Sequence, residues 1–374
     1  MRRIQAWLPL YVFLLLIAVI LGVRAGLVRQ ALRGAARQPA GADLRPGAPR
    51  PAPDSSEVAL GRLLFFDPIL SANRERACAS CHAPSRGLSD GNRVAVAIDR
   101  SALARNAPGL TNVSDQHAFF WDGRAATLED QVDGPVHNTR ELGGLSGREI
   151  EARLDSITAY RDLFARTYGT QRPRYADTRR AIAAYERTFR SSASTVDRWW
   201  RGDLPASSVP AGVRRGFNLF AGKAQCSRCH FVPLTTSVIP GDFKVQEFTV
   251  IGVPRDSSGR SLDPDVGRYA VTKVEADRHA FKAPSLRNIA HSAPYMHNGA
   301  FATLDQVIRF YNRGGGRGLG LDVPNQAPEV HPLHLSEQEE RALVSFLEAL
   351  SDDSTSVVTV PRGVPSGLTP GGVY

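Results

Sequence analysis

The sequence predicts a mainly α-helical fold built as two similar halves, and three observations carry that expectation. The pentapeptides CASCH at residues 78–82 and CSRCH at residues 226–230 use all four cysteines of the 374 residues, 148 positions apart. Each is entered from an apolar-striped helical stretch, and the chain closes on a third such stretch that opens with a capping box. With 42% hydrophobic and 22% charged residues there is room for two helical domains. Core size is therefore not what the cysteines supply, and disulfides across two residues would close loops too small to stabilise the fold much.

Residues 1–33 open with MRRIQAWLPLYVFLLLIAVILGVRAG, in which two arginines precede eighteen uncharged residues, Ala6 to Val23, before Arg24. That length lies between a signal-peptide core and a full membrane span. The basic GVRAGLVRQ that follows holds no convincing cleavage site, so the segment reads as an uncleaved anchor, with a cleaved signal peptide as the alternative. Either way the remainder is exported, to a bacterial periplasm, and the anchor would tether it to the inner membrane. Residues 34–53, rich in Pro, Gly and Ala without apolar period, read as a linker. Residues 54–203 and 204–351 form the two expected domains, and residues 352–374 read as a flexible C-terminal tail. Net charge is +9, carried mainly by arginines. No compact basic run interleaved with aromatics accompanies it, which argues against nucleic acid and for a solvated basic surface.

C-x-x-C-H has a specific chemical use: two thiols add across the vinyl groups of haem while the adjacent histidine turns its imidazole onto the iron. A thioredoxin-like pair needs no following histidine, and a zinc site would bring both pairs to one metal. Two copies therefore imply two covalently bound c-type haems, one on Cys78, Cys81 and His82, the other on Cys226, Cys229 and His230. The first motif follows SSEVALGRLLFFDPILSANRERA, striped by Leu60, Leu64 and Phe65; the second follows PAGVRRGFNLFAGKAQ, with Phe217 and Phe220. This is a duplicated layout of two cytochrome c-like domains meeting at an interface. The final stretch, LSEQEERALVSFLEALS, pairs Ser336 with Glu339 as a capping box and presents Leu343, Phe346, Leu347 and Leu350 toward the second haem. Methionine is the common sixth ligand of electron-transfer haems, but only Met1 and Met296 exist, so at most one haem has one.

Two further blocks, RNAPGLTNVSDQHAFFWDGRAATLEDQVDGPVHNTRELG and KAPSLRNIAHSAPYMHNGAFATLDQVIRFYNRGGG, resemble the bacterial diheme cytochrome c peroxidases, MauG-type branch, over most of residues 54–350. The resemblance implies that Trp121 lies between the haems and that Gln131, Pro135 and Glu141 surround the peroxidatic iron, with Glu141 as general acid/base. In main-branch members a methionine fourteen residues after the PY-x-H-x-G histidine ligates the second haem; here fourteen from His297 is Tyr311. The MauG-type branch uses histidine and tyrosine there, so Tyr311 is the implied partner of His230, with Met296 and His297 as rivals. Main-branch members also carry a distal histidine sixteen residues after the first haem histidine, where this chain has Ile98. The first haem is then five-coordinate as made, with His117 a poorly placed substitute. The resemblance further implies a calcium ion held by Asn106, Ser292 and Pro294.

Three functions follow as alternatives. The leading one is a peroxidase that reduces hydrogen peroxide at the open haem, with electrons from a small periplasmic cytochrome c or cupredoxin routed through the six-coordinate haem. The second is a MauG-like oxidase whose electrons come from residues of a partner protein substrate, with Trp199 or Trp200 of DRWWRGD as an exit. The third is a membrane-tethered diheme electron carrier without peroxide chemistry.

Overall fold

The computed structural model describes residues 54–240, 245–352 and 358–372. The expected anchor and linker lie outside the described residues. In chain order the helices are α1 (Ser55–Phe66), α2 (Leu128–His137), α3 (Gly147–Asp155), α4 (Thr158–Tyr168), α5 (Tyr175–Glu186), α6 (Thr195–Arg201), α7 (Ala211–Ala221), α8 (Tyr269–Thr272), α9 (Leu304–Asn312), α10 (Gly315–Gly318) and α11 (Glu337–Glu348). A two-stranded antiparallel sheet, β1 (Phe248–Val250) with β2 (Ala280–Lys282), pairs Thr249 with Phe281. None of the described helices is long and apolar enough to cross a membrane.

Asp54 caps α1 by accepting the Ser56 and Glu57 amide protons at 2.7 and 3.2 Å, and its stripe of Leu60, Leu64 and Phe65 is fully buried. The helix crosses α5 at Gly61, where a β-carbon would stand 1.8 Å from the Ala181 carbonyl oxygen. Only glycine allows that approach. In the second half α7 crosses α11 at Gly216, where a β-carbon would stand 2.0 Å from the Ala342 oxygen. The crossing residues correspond, Gly61, Ala181 and Tyr185 to Gly216, Ala342 and Phe346. Around these crossings form two buried apolar clusters, one of residues from Leu60 to Phe189 joined by Val364, and one from Val196 to Leu350.

The correspondence extends through the loops. Thr127 and Thr303 each cap a helix, α2 and α9, and each follows a short bridge, Phe119 with Ala125 and Tyr295 with Phe301. The closing helix α11 starts as its sequence predicts, with the Ser336 amide donating to Glu339 at 2.9 Å. Beyond it, inside the stretch expected as a flexible tail, the chain returns to the first half. Arg62 donates to the Thr359 carbonyl at 2.9 Å, Ser366 to Asp67 at 2.6 Å, and the Gly371 amide to the Phe66 carbonyl at 2.8 Å. Val364 is buried in the first cluster, and Gly371 lies against Ala77 and Ser80 of the first cysteine loop. Apolar burial, Arg62, Asp67 and the Phe66 carbonyl hold this strap, which has no periodicity of its own for the sequence to reveal.

Candidate functional site

Both cysteine loops fold alike. Each is one turn of 3-10 helix in which the histidine amide donates to the first cysteine's carbonyl, His82 to Cys78 at 3.0 Å and His230 to Cys226 at 2.9 Å. The four thiols are unpaired with one another, and burial raises the pKa of each, Cys81 and Cys229 to about 11. Burial lowers both imidazoles, His230 to about 4, so both rings are neutral. His82 Nδ1 donates to the Leu88 carbonyl at 2.9 Å, which leaves Nε2 with its lone pair. His230 Nδ1 is buried without a well-formed hydrogen bond, although the Thr235 and Pro284 carbonyls act on it. Free thiols beside a neutral, buried histidine on a tight turn fit a covalently attached haem in each half.

Glu141 stands in the loop after α2, and it is one of the charged neighbours of Cys81. Burial raises its carboxyl pKa, opposed by a hydrogen bond from Asn138 Nδ2 to Oε1 at 2.7 Å and by the charge of Arg124. Asn138 is locked in that orientation because its Oδ1 accepts the Arg140 amide proton at 2.9 Å. Gln131 and Pro135 lie one turn apart on α2. Proline has no amide proton, so the Gln131 carbonyl loses its helical donor there. Gln131, Pro135 and Glu141 thus belong to one helix and its following loop.

Tyr311 lies on α9, edge-on to Phe310, and burial together with Cys229 and Cys226 raises its phenol well above the usual range. Both cysteines of the second loop therefore lie within electrostatic reach of it. Its rivals differ in their surroundings: His297 is buried, stacked on Phe281 at 3.7 Å and bonded to Asp263 at 3.3 Å, while Met296 packs against the second cluster. Burial would raise the Asp263 carboxyl, but hydrogen bonds from His297 and Asn298 hold it at about 2. His297 is thus committed to a hydrogen bond with Asp263.

Trp121 joins the halves. Its indole donates to the Asn106 carbonyl at 2.9 Å, the Asn106 amide donates to His297 at 2.7 Å, and the Trp121 carbonyl accepts the Lys282 amide proton at 2.9 Å. The Asn106 side-chain nitrogen is spent on the Asn92 carbonyl at 2.8 Å, so Oδ1 is its group open to a cation. Ser292 bonds Ile289, three residues before it. Among the described residues no cluster of three or more histidines, cysteines and carboxylates suggests a different metal site. Trp199 and Trp200 both pack edge-on against Phe217 in the second cluster. Sequence reasoning missed Asn138, whose signal is its place three residues before Glu141, and Lys282, a buried amine that burial pushes down to about 7 and that bonds Gln116 and the Ala118 carbonyl.

A helical scaffold with two C-x-x-C-H turns, a half-buried carboxyl near one and a phenol near the other, defines a diheme c-type redox protein. The family model for di-haem cytochrome c peroxidase matches residues 55–204. The methylamine utilization protein MauG of Methylorubrum extorquens is 37% identical over 307 residues, 82% of this chain and 81% of that protein. The cytochrome-c peroxidase IdrP1 of Denitromonas iodatirespirans is 36% identical over 327 residues, 79% of this chain and 82% of that one. A MauG-like protein associated with microbial copper homeostasis superposes with a TM-score of 0.74 at 29% identity, covering 87% of this chain and 98% of that structure. The chain belongs to the di-haem cytochrome c peroxidase family, which includes MauG-like proteins, and is an oxidoreductase of the peroxidase type. Family membership implies covalently bound c-type haems.

Proposed function

We propose that the chain is an exported diheme peroxidase in which His82 would hold the first haem with its other side left to peroxide, beside Glu141, Gln131 and Pro135, while His230 and Tyr311 would both ligate the second. The observation that carries this reading is the division of neighbours: the half-buried Glu141 carboxyl is among the charges that act on Cys81 of the first loop, and Cys226 and Cys229 of the second act on the Tyr311 phenol. Cys78, Cys81 and His82 would hold one haem and Cys226, Cys229 and His230 the other, and these groups would supply the redox chemistry for O–O cleavage. Glu141 takes the proton from one peroxide oxygen and delivers it to the other, which leaves as water. Asn138 keeps the carboxyl oriented for both transfers. Two electrons and two further protons complete the conversion of hydrogen peroxide to two waters. Gln131 orients the bound peroxide, and Pro135 leaves the pocket wall without an amide donor. Trp121 offers an aromatic step between the halves, and a calcium ion on Asn106 Oδ1 and the Ser292 and Pro294 carbonyls would fix that junction. A small periplasmic cytochrome c or cupredoxin supplies the electrons, and the N-terminal segment holds the enzyme at the inner membrane.

Tyr311 also favours a second reading, a MauG-like oxidase that draws its electrons from residues of a partner protein. EPR of the ferric protein before and after one equivalent of peroxide tests the proposal. One high-spin and one low-spin haem, both altered without prior reduction, is the expected result. Two low-spin haems indifferent to peroxide would leave a diheme electron carrier. Turnover sustained by a small donor cytochrome separates the peroxidase from the protein oxidase.

A further inference from the structure

One buried group distinguishes the two helix crossings and has no part in the reaction as described. With Tyr185 and Phe346 in register, the next residue is Glu186 on α5 and Leu347 on α11. Both are buried, at 4% and 6% exposure. Glu186 Oε2 has no hydrogen-bond partner, so the carboxyl costs stability at a position where the same crossing accepts leucine. A group that the fold does not require, and that weakens it, is a candidate for function.

Its neighbours indicate which function. Glu186 is the strongest charged influence on the Cys78 thiol, on the loop that carries the first haem. Two charged groups face it, Arg187 at the end of α5 and Glu129 from α2, and these pair with each other at 2.8 Å. Burial pushes its carboxyl up to about 8, with Arg187 opposing and Glu129 assisting. It is therefore mostly protonated at neutral pH.

We propose that Glu186 is a redox-linked proton site of the first haem, protonated while that centre is reduced and ionised when an electron is withdrawn. Loss of one electron adds one positive charge at the centre, and release of one proton from Glu186 leaves a carboxylate that offsets it. The proton leaves to solvent on the side of Glu129, whose side chain acts on Glu186 and is partly exposed. Peroxide withdraws two electrons in a turnover and the donor protein returns them one at a time, so each one-electron step can carry its proton without a further reactant. The inference rests on a haem at Cys78, Cys81 and His82 but not on the role given to Glu141.

The test is a redox titration of the intact diheme protein, following the optical and EPR signals of each haem from about pH 6 to about pH 9. In the wild type the midpoint potential of the first haem should fall with pH, toward a limit of a tenfold change in the oxidised-to-reduced ratio per pH unit, about 59 mV. Glu186→Gln and Glu186→Leu should flatten that slope and leave the second haem unchanged. Leucine is the residue of the other half, so the packing has a variant it already tolerates. Infrared difference spectra should show a carboxylic C=O band that disappears on oxidation and is missing in both variants. An equal slope in all three proteins, or a band insensitive to position 186, overturns the proposal. If peroxide turnover is intact while the wild-type slope is flat, the proton site is wrong and the peroxidase reading stands.

Discussion

Helices α2 and α9 occupy equivalent places in the two halves, each starting at a capping threonine, yet eight residues after the cap one carries Pro135 and the other Tyr311. Proline offers no side-chain ligand and no amide donor, whereas tyrosine offers a phenol. After α2 the loop adds Asn138 and Glu141, and after α9 the chain runs into the glycines of α10. The same scaffold thus leaves one cysteine loop with a carboxyl near it and the other with a phenol. On the proposed reading this asymmetry divides chemistry from electron transfer, and it can be made with side chains alone.

The comparison breaks most sharply at Glu141. Glu141→Gln should lower peroxide consumption at least ~100-fold while the second haem's spectrum is unchanged, measured by stopped-flow decay of peroxide. A wild-type rate would remove Glu141 from the first half's equipment. At Tyr311 the effect should fall on the other half. Tyr311→Met should raise the second-haem potential, by roughly hundreds of millivolts, and change its low-spin EPR signal while the first haem still reacts with peroxide. An unaltered low-spin signal would mean that Tyr311 is not a ligand.

A finer test is Asn138→Asp, which keeps the bond to the Arg140 amide but replaces the donor facing Glu141 with a second carboxylate. The Glu141 pKa, already raised by burial, should rise further. Because the ionised carboxylate is the base, the acid limb of the rate profile moves to higher pH, with roughly a tenfold loss below the new midpoint. An unmoved limb would confine Asn138 to shaping the loop. The smallest effect should come from the strap: ending the chain at Ser356 removes the contacts of Val364, Ser366 and Gly371 and should cost about 2 kcal/mol of stability. Thermal unfolding monitored at each haem should show the loss in the first half, and equal destabilisation of both halves would argue against the strap as a local clamp.

Much of this molecule was legible in its sequence because the signals are short-range. The haem loops show as fixed spacings, the entry helices as apolar stripes, and the last helix as the pairing of Ser336 with Glu339. Glu141 and Tyr311 were reached only through resemblance, since a loop carboxylate and a helical aromatic carry no local mark of function. Asn138 went unnoticed because an asparagine near a helix end usually serves the backbone, which it also does here through Arg140.

The sequence by itself therefore determined the haem-binding turns, the helices that lead into them and the family, all of which depend on residues a few positions apart. Only the tertiary structure decided what surrounds each turn. Desolvation and charge act through space between segments distant in sequence, so the raised pKa of Glu141, the unpartnered carboxyl of Glu186 opposite Leu347, the buried amine of Lys282 and the strap on Asp67 became visible only once the chain was packed.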